Sequence, residues 1–162
     1  MDKIYDVIIL GAGPGGLAAG IYAGRARLDT LLIEKGKDGG QIAITDEIEN
    51  YPGQMVDGES GPSLIERMTK QVEKFGAERV SDTIVSVDIE GPVKTLVGSN
   101  GTYKARTLII ATGAFPRPIG CKGEGEFMGK GVSYCATCDA SFFEDLEVFV
   151  VGGGDSAVEE AM

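Results

Sequence analysis

Histidine is absent from all 162 residues of the sequence. Without it the chain cannot supply a Ser-His-Asp or Cys-His catalytic set, nor a metal site that uses imidazole ligands. Long apolar runs are also missing, since none approaches the roughly 18–20 residues that a membrane-spanning helix needs. Residues 1–3 lead directly into a strand-like segment without the architecture of a signal peptide. We therefore expect a cytoplasmic protein with no membrane partner.

Positive charge is scarce. The chain has 15 Lys and Arg against 25 Asp and Glu, which gives a net charge of −10. Nucleic-acid-binding proteins usually present a basic face, and no such cluster is visible here. We therefore expect no nucleic-acid partner, and we interpret the acidity as a solubility property.

Cysteine occurs three times, and the odd number does not indicate a secreted disulfide scaffold. Cys135 and Cys138 have the spacing of a redox pair, of half a zinc site or of two inert thiols. A structural zinc site usually needs four Cys or His ligands, and only Cys121 could add a third, so we expect no metal. The redox pair is favoured, and Asp139 beside it could carry the proton that thiol–disulfide exchange requires. The alternative for Asp139 is a solvated or helix-capping carboxylate, and no role is expected for Cys121.

Glycines cluster at positions that indicate a dinucleotide-binding turn. The apolar run Ile4–Leu10 is typical of a buried parallel strand, Leu17–Arg27 of a helix and Thr30–Ile33 of a second strand. The first strand and the helix are joined by G-x-G-x-x-G, matched by Gly11, Gly13 and Gly16. Such glycines let a pyrophosphate approach the helix N-terminus, and Glu34 after the second strand could bind ribose hydroxyls. The alternative is a glycine-rich turn that only packs helix on strand.

The middle of the chain predicts a helix and a small antiparallel meander. From Pro62 apolar residues recur at helical spacing, and Gly76 is suited to the helix end. Asn-Gly within Ser99–Thr102 predicts a hairpin turn with positive φ angles. Strands are predicted at Thr83–Ile89, Val93–Val97, Tyr103–Arg106 and Leu108–Gly113. The fold class is therefore α/β, a Rossmann-like parallel sheet with an antiparallel β-meander.

A second glycine loop follows near the end of the chain. Glu147–Val151 is strand-like, Asp155–Met162 begins a helix, and G-x-G-x-x-A is matched between them by Gly152, Gly154 and Ala157. Two such loops suit a flavoprotein that binds FAD and a nicotinamide cofactor, although the second could also be a packing turn. Because the last helix is short and no strand follows it, we expect a chain truncated within a second nucleotide-binding domain. The alternative is a short natural protein.

Six motifs occur in one order: GAGPGG at 11–16, GGQ at 39–41, ENYPG at 49–53, ATG at 111–113, CATCD at 135–139 and GGGDSAVEEA at 152–161. In this order they resemble the bacterial low-molecular-weight, FAD-dependent thioredoxin reductases over the whole chain. The resemblance implies a discontinuous FAD-binding domain whose first part is residues 1–115. It also implies that residues 116–162 begin the NADPH-binding domain that carries the cysteine pair, with a hinge near Phe115–Pro118.

The resemblance assigns roles to matching positions. Cys138 would be the sulfur nearest the flavin, Cys135 would attack the disulfide of the protein substrate, and Asp139 would be the acid/base. The NADPH pyrophosphate site would include Gly152, Gly154 and Ser156. The FAD site would include Gly11, Gly13, Pro14, Gly15, Gly16, Glu34, Gly40, Gln41, Asn50, Thr112 and Gly113.

The implied reaction passes electrons from NADPH through FAD and the cysteine pair to thioredoxin, in a homodimer of the complete protein. The segments that would bind the NADPH 2′-phosphate and complete the FAD site would lie past residue 162. The donor therefore stays open between NADPH and ferredoxin. Further alternatives are a peroxiredoxin-linked relative and an inactive fragment or flavin-binding module.

Overall fold

The computed structural model describes residues 3–45, 47–55 and 57–162. Contacts between Cα atoms divide the chain into two units. The first comprises Met1–Glu49 and Gly53–Ala114, and the second comprises Asn50–Pro52 and Phe115–Met162. The sheet and the two longest helices all belong to the first unit.

A six-stranded mixed sheet forms the centre of the first unit. Its strands are β1 (Ile4–Leu10), β2 (Thr30–Glu34), β3 (Glu78–Ser81), β4 (Ile84–Asp88), β5 (Lys94–Gly98) and β6 (Thr102–Ile110). The spatial order is β3-β2-β1-β6-β5-β4. The first four strands in this order are parallel, and β5 is antiparallel to both β6 and β4. The predicted α/β class with a parallel sheet and an antiparallel meander is confirmed.

Helix α1 (Pro14–Arg25) connects β1 to β2, and helix α2 (Gly61–Lys74) precedes β3. Helix α1 begins at Pro14, earlier than the predicted Leu17. Proline suits the first helical position, because an N–H at that position would have no partner within the helix. Ser60 is the N-cap of α2, and its Oγ accepts the Ser63 N–H at 3.3 Å.

The apolar face of α2 packs into the core on one side of the sheet. That core contains residues of β1, β2, α1 and α2 together with the loop residues Ala12 and Ile48: Val7, Ile9, Ala12, Leu17, Ala23, Leu32, Ile48, Leu64, Ile65, Met68 and Val72. Two glycines let α1 approach α2 closely. A Cβ at Gly20 would lie 3.3 Å from Val72 Cγ1, and one at Gly24 would lie 2.7 Å from Phe75 O.

A buried carboxylate fastens the loop before α2 to the helix. The Glu59 side chain is 1% exposed and accepts two hydrogen bonds from the Arg67 guanidinium, at 2.9 and 2.5 Å. Ser63 Oγ donates to the same carboxylate at 3.0 Å. The Arg67 hydrogen bond lowers the pKa of Glu59, so the carboxylate is ionised at neutral pH.

Two strand predictions differ from the structure. Tyr103–Arg106 and Leu108–Gly113 belong to the single strand β6, which ends at Ile110. The strand is continuous because β1 pairs with it from Lys104 to Ile110, whereas β5 pairs only with its first part. Strand β3 was not predicted, because Glu78–Ser81 is a short, mostly exposed edge segment without apolar alternation.

The predicted positive φ angles at the Asn-Gly turn are wrong. The hairpin between β5 and β6 is present, but neither Asn100 nor Gly101 has a positive φ. The loop is shaped instead by Asp82, which accepts hydrogen bonds from Asn100 N–H at 3.1 Å, Thr83 N–H at 2.7 Å and Tyr103 O–H at 2.8 Å. A partner distant in sequence thus determines the turn.

The carboxylate of Asp82 is a charge buried at 3% exposure. Burial acts to raise its pKa, but the hydrogen bonds from Tyr103 and from the backbone of Asn100 and Thr83 outweigh that effect, and the pKa is lowered. A lowered pKa contributes stability above the pKa of the unfolded chain, near 3.9, and this contribution is lost as the pH falls through the folded value.

We expect Asp82→Asn to lower the midpoint of thermal unfolding at pH 7, because the variant cannot present a carboxylate to three donors. The difference from the wild type should shrink as the pH falls below about 4 and then through the lowered pKa of Asp82 in the folded protein, where the wild-type group also becomes neutral. Circular dichroism melts across pH measure this difference. Asp88→Asn, on an exposed side chain of β4, is the control and should change little. An equal Asp82→Asn effect at all pH values would contradict the prediction.

The second unit contains two short helices, α3 (Ala136–Asp139) and α4 (Asp155–Glu160), and a 3₁₀ turn at Ala140–Phe143. The predicted strand at Glu147–Val151 is wrong: the segment forms no ladder, and Phe149 in it is 84% exposed. An apolar run becomes a strand only where a neighbouring strand accepts its hydrogen bonds, and the described part of this unit has none beside it. Within the same described ranges, no helix is long and apolar enough to cross a membrane.

Candidate functional site

The carboxyl ends of β1, β2 and β6 meet at one edge of the sheet. Gly11 follows β1, Glu34 ends β2 and Ala111 follows β6. Strand β1 lies between β2 and β6, so the strands that follow it in the sequence are placed on both of its sides. Such a reversal of strand order is the switch point at which open α/β sheets bind ligands. Most of the residues predicted to bind FAD lie at this edge.

Backbone packing leaves no room for side chains at two of the predicted glycines. Gly11 has φ +107°, and a Cβ there would lie 2.8 Å from Ala111 C and 3.2 Å from Thr112 Cα. A Cβ at Gly16 would overlap Gly11 O and lie 2.9 Å from Gly11 C. Glycine at these two positions therefore allows α1 to start directly against the end of β1.

Two other glycines face open space. No atom lies within 4 Å of a Cβ built at Gly13 or Gly15, and the nearest atom to one at Gly40 is Gly13 Cα at 3.8 Å. Gly13 is the N-cap of α1 and Pro14 its first residue. The first N–H groups of a helix have no partners within it and carry the positive end of its dipole. Together these residues form a cradle open to an anion such as a pyrophosphate.

Glu34 stabilises the loops around this cradle. Its Oε2 accepts the Ala12 N–H at 2.8 Å and its Oε1 accepts the Gly36 N–H at 3.0 Å. Sequence reasoning assigned Glu34 to ribose hydroxyls and missed this structural role. Each carboxylate oxygen can accept a second hydrogen bond, so the observed contacts leave capacity for a ribose.

Residues 39–41, the GGQ motif predicted to approach FAD, are hydrogen-bonded to the loop between β1 and α1. Gly39 N–H donates to Ala12 O at 2.8 Å, and Gly39 has φ +112°. Sequence reasoning also missed Asp38, which accepts Arg79 Nε–H from β3 at 2.7 Å. The Arg79 guanidinium further donates to Gly36 O at 3.1 Å, so it fixes the segment that leads to Gly40. The unpredicted strand β3 is the reason that this anchor could not be identified.

The remaining FAD-site predictions divide between the units. Thr112 lies beside Gly11, and Gly113 has φ +68°. Gln41 lies in the 3₁₀ turn Gly40–Ile44 and is exposed. Asn50 groups with the second unit, whereas Gln41, Thr112 and Gly113 belong to the first.

Cys135 and Cys138 form a disulfide in the second unit, with their Cα atoms 5.3 Å apart. Cys135 is the N-cap of α3, and its carbonyl accepts Cys138 N–H at 3.2 Å and Asp139 N–H at 3.1 Å. The backbone turn thus holds both sulfurs and the Asp139 backbone within one helical turn. Cys138 is exposed, Cys135 is half-buried, and Cys121 is an exposed free thiol.

Ser133 connects Cys135 to Asp139 and was missed by sequence reasoning. Its Oγ lies 2.5 Å from Asp139 Oδ2, accepts Cys135 N–H at 3.0 Å and is 3.3 Å from Cys135 O. Nothing in the sequence distinguishes this serine, because its importance comes from the return of the chain at α3.

A second carboxylate, Glu124, fixes the residue before Cys135. It is 8% exposed and accepts Ile119 N–H at 2.9 Å and Gly120 N–H at 2.7 Å. The Tyr134 hydroxyl also donates to it. Tyr134 is therefore attached through one side chain to the segment after Pro118, which fixes the approach to Cys135.

The second predicted glycine loop belongs to the same unit as the disulfide. Gly152 has φ +145°, and a Cβ there would lie 3.0 Å from Ala157 Cβ. No atom lies within 4 Å of a Cβ at Gly154, the N-cap of α4, and Ser156 is exposed. At the other end of α4, Glu160 Oε2 accepts Ala136 N–H at 3.1 Å, so the helix contacts the turn that carries the cysteines.

Comparison with known proteins identifies the family. The family model described as "Pyridine nucleotide-disulphide oxidoreductase" matches residues 5–162. The chain belongs to this family. It is 61% identical over 162 residues to a thioredoxin reductase of Peptoclostridium litorale, covering 100% of this chain and 51% of that protein. It is 54% identical over 159 residues to a thioredoxin reductase of Listeria monocytogenes, covering 98% of this chain and 49% of that protein.

Solved structures agree with these relatives. The crystal structure of a thioredoxin reductase from Streptococcus pyogenes is 45% identical, with a TM-score of 0.92, and the match covers 99% of this chain and 52% of that chain. The chain thus spans about half the length of the relatives it matches. The resemblance inferred from the six motifs is confirmed, whereas the roles of individual site residues stay predictions.

The glycines of the cradle allow a matched test. We expect Gly16→Ala to lower the free energy of unfolding by at least about 2 kcal/mol, because its Cβ overlaps Gly11 O. Gly15→Ala, in open space on the same helix, should raise it by about 0.5–1 kcal/mol. Urea denaturation without added cofactor measures both. Equal stability of Gly16→Ala and the wild type would show that the close approach is absent.

Gly13→Ala should separate binding from folding. Its Cβ meets no protein atom, so the fold is retained, but the methyl group occupies the cradle. We expect FAD affinity to fall at least about tenfold, which corresponds to about 1.4 kcal/mol. Flavin fluorescence titration measures the affinity, with Gly125→Ala, also in open space, as the control. Unchanged affinity in Gly13→Ala would place the pyrophosphate elsewhere.

Proposed function

We propose that this chain forms the FAD cradle and the redox-active disulfide of a flavin-dependent thioredoxin reductase. The complete enzyme would pass electrons from NADPH through FAD and Cys135–Cys138 to thioredoxin. The observation that carries the proposal is the Cys135–Cys138 disulfide, with Asp139 hydrogen-bonded beside it, in a chain whose glycines leave open space at the start of α1. Relatives named thioredoxin reductase, at 61% and 54% identity, support it.

The cradle fits the pyrophosphate and ribose of FAD. Gly13, Gly15 and Gly40 leave the necessary space, and α1 supplies free N–H groups at its start. Glu34 retains acceptor capacity for ribose hydroxyls. We extend the site to Gln41, Asn50, Thr112 and Gly113, and assign the first FAD-binding part to residues 1–115. We assign residues 116–162 to the start of the NADPH-binding domain, with Gly152, Gly154 and Ser156 at the NADPH pyrophosphate.

The chemistry of the cysteine pair follows from thiol–disulfide exchange. The Cys135 thiolate attacks one sulfur of the thioredoxin disulfide, which forms a mixed disulfide and releases the other sulfur as a thiolate that takes a proton. Cys138 then loses its proton and attacks Cys135 Sγ. This restores the Cys135–Cys138 bond and releases the second thioredoxin sulfur, so two electrons and two protons have passed to thioredoxin. Bound FAD would supply the two electrons that reduce the Cys135–Cys138 disulfide back to the dithiol.

Asp139 lies in the same helical turn as both cysteines, which makes its carboxyl group the candidate to move these protons. Its backbone N–H donates to Cys135 O at 3.1 Å, and its carboxylate is hydrogen-bonded through Ser133 to the same residue. A carboxyl group beside a dithiol can give a proton to a leaving thiolate and take one from an attacking thiol. We therefore propose Asp139 as the acid/base, Cys135 as the substrate-attacking thiol and Cys138 as the thiol that faces the flavin.

Substitutions of single cysteines test the assignment, in the polypeptide encoded by the whole natural gene. Cys135→Ser should leave a flavin that NADPH still bleaches but reduce NADPH-dependent thioredoxin reduction to background, because the attacking sulfur is lost. Cys138→Ser should form a stable mixed disulfide with a thioredoxin that keeps only one active-site cysteine, activated as a disulfide with a small thiol leaving group. The complex is stable because no resolving thiol remains. Mass spectrometry detects the covalent complex.

Cys121→Ser is the matched control, since Cys121 is an exposed free thiol, and it should keep wild-type activity. Thioredoxin reduction that survived in Cys135→Ser would overturn the assigned role. Loss of the reaction in Cys121→Ser would show that a different sulfur acts.

The electron donor is tested separately. Anaerobic titration with NADPH, NADH and reduced ferredoxin, followed by the visible absorbance of the flavin, identifies the donor. We expect bleaching by NADPH, and bleaching by reduced ferredoxin alone would replace NADPH in the proposal. The same preparation gives the oligomeric state by light scattering, for which we propose a homodimer in the cytoplasm.

A further inference from the structure

We infer that Ser133 is a positioning residue that holds Asp139 against the redox-active turn in both of its protonation states. The inference rests on the proposed function for its enzymatic meaning and on three contacts of one hydroxyl group for its geometry. Ser133 Oγ lies 2.5 Å from Asp139 Oδ2, 3.0 Å from Cys135 N and 3.3 Å from Cys135 O.

A serine hydroxyl has one hydrogen to donate and two lone pairs that accept. Cys135 N–H occupies one lone pair at 3.0 Å. The hydroxyl hydrogen then has two acceptors in reach, the Asp139 carboxylate and the Cys135 carbonyl. The hydroxyl thus uses its hydrogen and one lone pair at a time, and its second lone pair stays free.

The two acceptors correspond to two protonation states of Asp139. When Asp139 is ionised, Ser133 O–H donates to Oδ2, and this charge-assisted bond is the stronger one. When Asp139 carries a proton, Oδ2–H donates to the free lone pair of Ser133 Oγ, and the hydroxyl hydrogen turns to Cys135 O. Cys135 N–H keeps the same partner in both states, so the carboxyl group stays in place while its proton comes and goes.

This arrangement suits an acid/base that must both give and take a proton in each cycle. In the first step Asp139 loses its proton to a leaving thiolate, which becomes a thiol, and in the next it accepts a proton from an attacking thiol. A carboxyl group that lost its hydrogen-bond partner in one of these states would move, and small displacements of a catalytic group cost rate. The neighbouring anchor between Glu124 and Tyr134 keeps the segment of Ser133 fixed.

The test measures the disulfide directly, in the full-length protein. Reduction of Cys135–Cys138 by dithiothreitol is quenched with iodoacetamide and followed by mass spectrometry, which requires neither a donor nor thioredoxin. We expect Ser133→Ala to slow this reaction about tenfold, less than the roughly 10²–10⁴-fold typical of losing the acid–base group itself, because Ser133 acts only through Asp139. Ser133→Thr, which keeps Oγ, should restore the wild-type rate. Ser141→Ala, on an exposed serine nearby, is the matched control and should have no effect.

Asp139→Ala distinguishes positioning from a general structural role. If Ser133 acts through Asp139, Ser133→Ala has no further effect in the Asp139→Ala background, and the two changes are fully non-additive. Multiplying effects would overturn the inference. If Ser133→Ala loses its native circular dichroism spectrum, the rates of Ser133→Thr and Ser133→Val are compared instead. Threonine and valine are nearly isosteric, and only threonine carries the hydroxyl.

The outcomes separate this inference from the proposed function. A wild-type rate with dithiothreitol in Ser133→Ala, together with normal thioredoxin reduction, overturns the role of Ser133 and leaves the function intact. A wild-type enzyme that fails to reduce thioredoxin, with the expected non-additive rates for dithiothreitol, overturns the function and supports the role of Ser133. In steady-state assays we expect Ser133→Ala to lower kcat and to leave KM for thioredoxin unchanged, since the Ser133 hydroxyl contacts Cys135 and Asp139 of its own chain.

Discussion

The backbone contact between Gly11 and Gly16 is the constraint on which the first unit depends. Because a Cβ at Gly16 would overlap Gly11 O, α1 can start directly after β1 only with glycine there. The close start directs the first turn of α1 to the sheet edge where β2 and β6 also end. Glu34 and Gly39 both bind the Ala12 backbone, so the surrounding loops follow from the same turn.

The second unit is organised by polar contacts, because it buries little apolar surface. Its only charged side chain that is buried in the described ranges is Glu124, which binds two backbone N–H groups and Tyr134. Ser133 joins Cys135 to Asp139 in the next residues along the chain. Hydrogen bonds fix direction as well as distance, which hydrophobic contacts do not.

Local patterns predicted what local physics determines. The parallel strands, the two main helices and the first glycine loop followed from apolar periodicity and glycine spacing. Strand β3, the continuity of β6 and the backbone of the Asn100–Gly101 turn did not, because each depends on a partner far away in sequence, such as Asp82 for the turn. The same holds in the site: the cysteine spacing predicted the pair, but Ser133 and Arg79 act through contacts that only the folded chain brings together. The apolar run at 147–151 has the sequence pattern of a strand but forms none, because it lacks a neighbouring strand in the described part of its unit.

The contact of Gly11 with Ala111 and Thr112 also orders events during synthesis. Ala111 and Thr112, which close one side of this turn, are translated about a hundred residues after Gly11. Local pairs such as β1 and α1 can form early, whereas the pairing of β1 with β6 must wait for that distant strand. The cradle around Gly11 is therefore finished only when β6 has been translated.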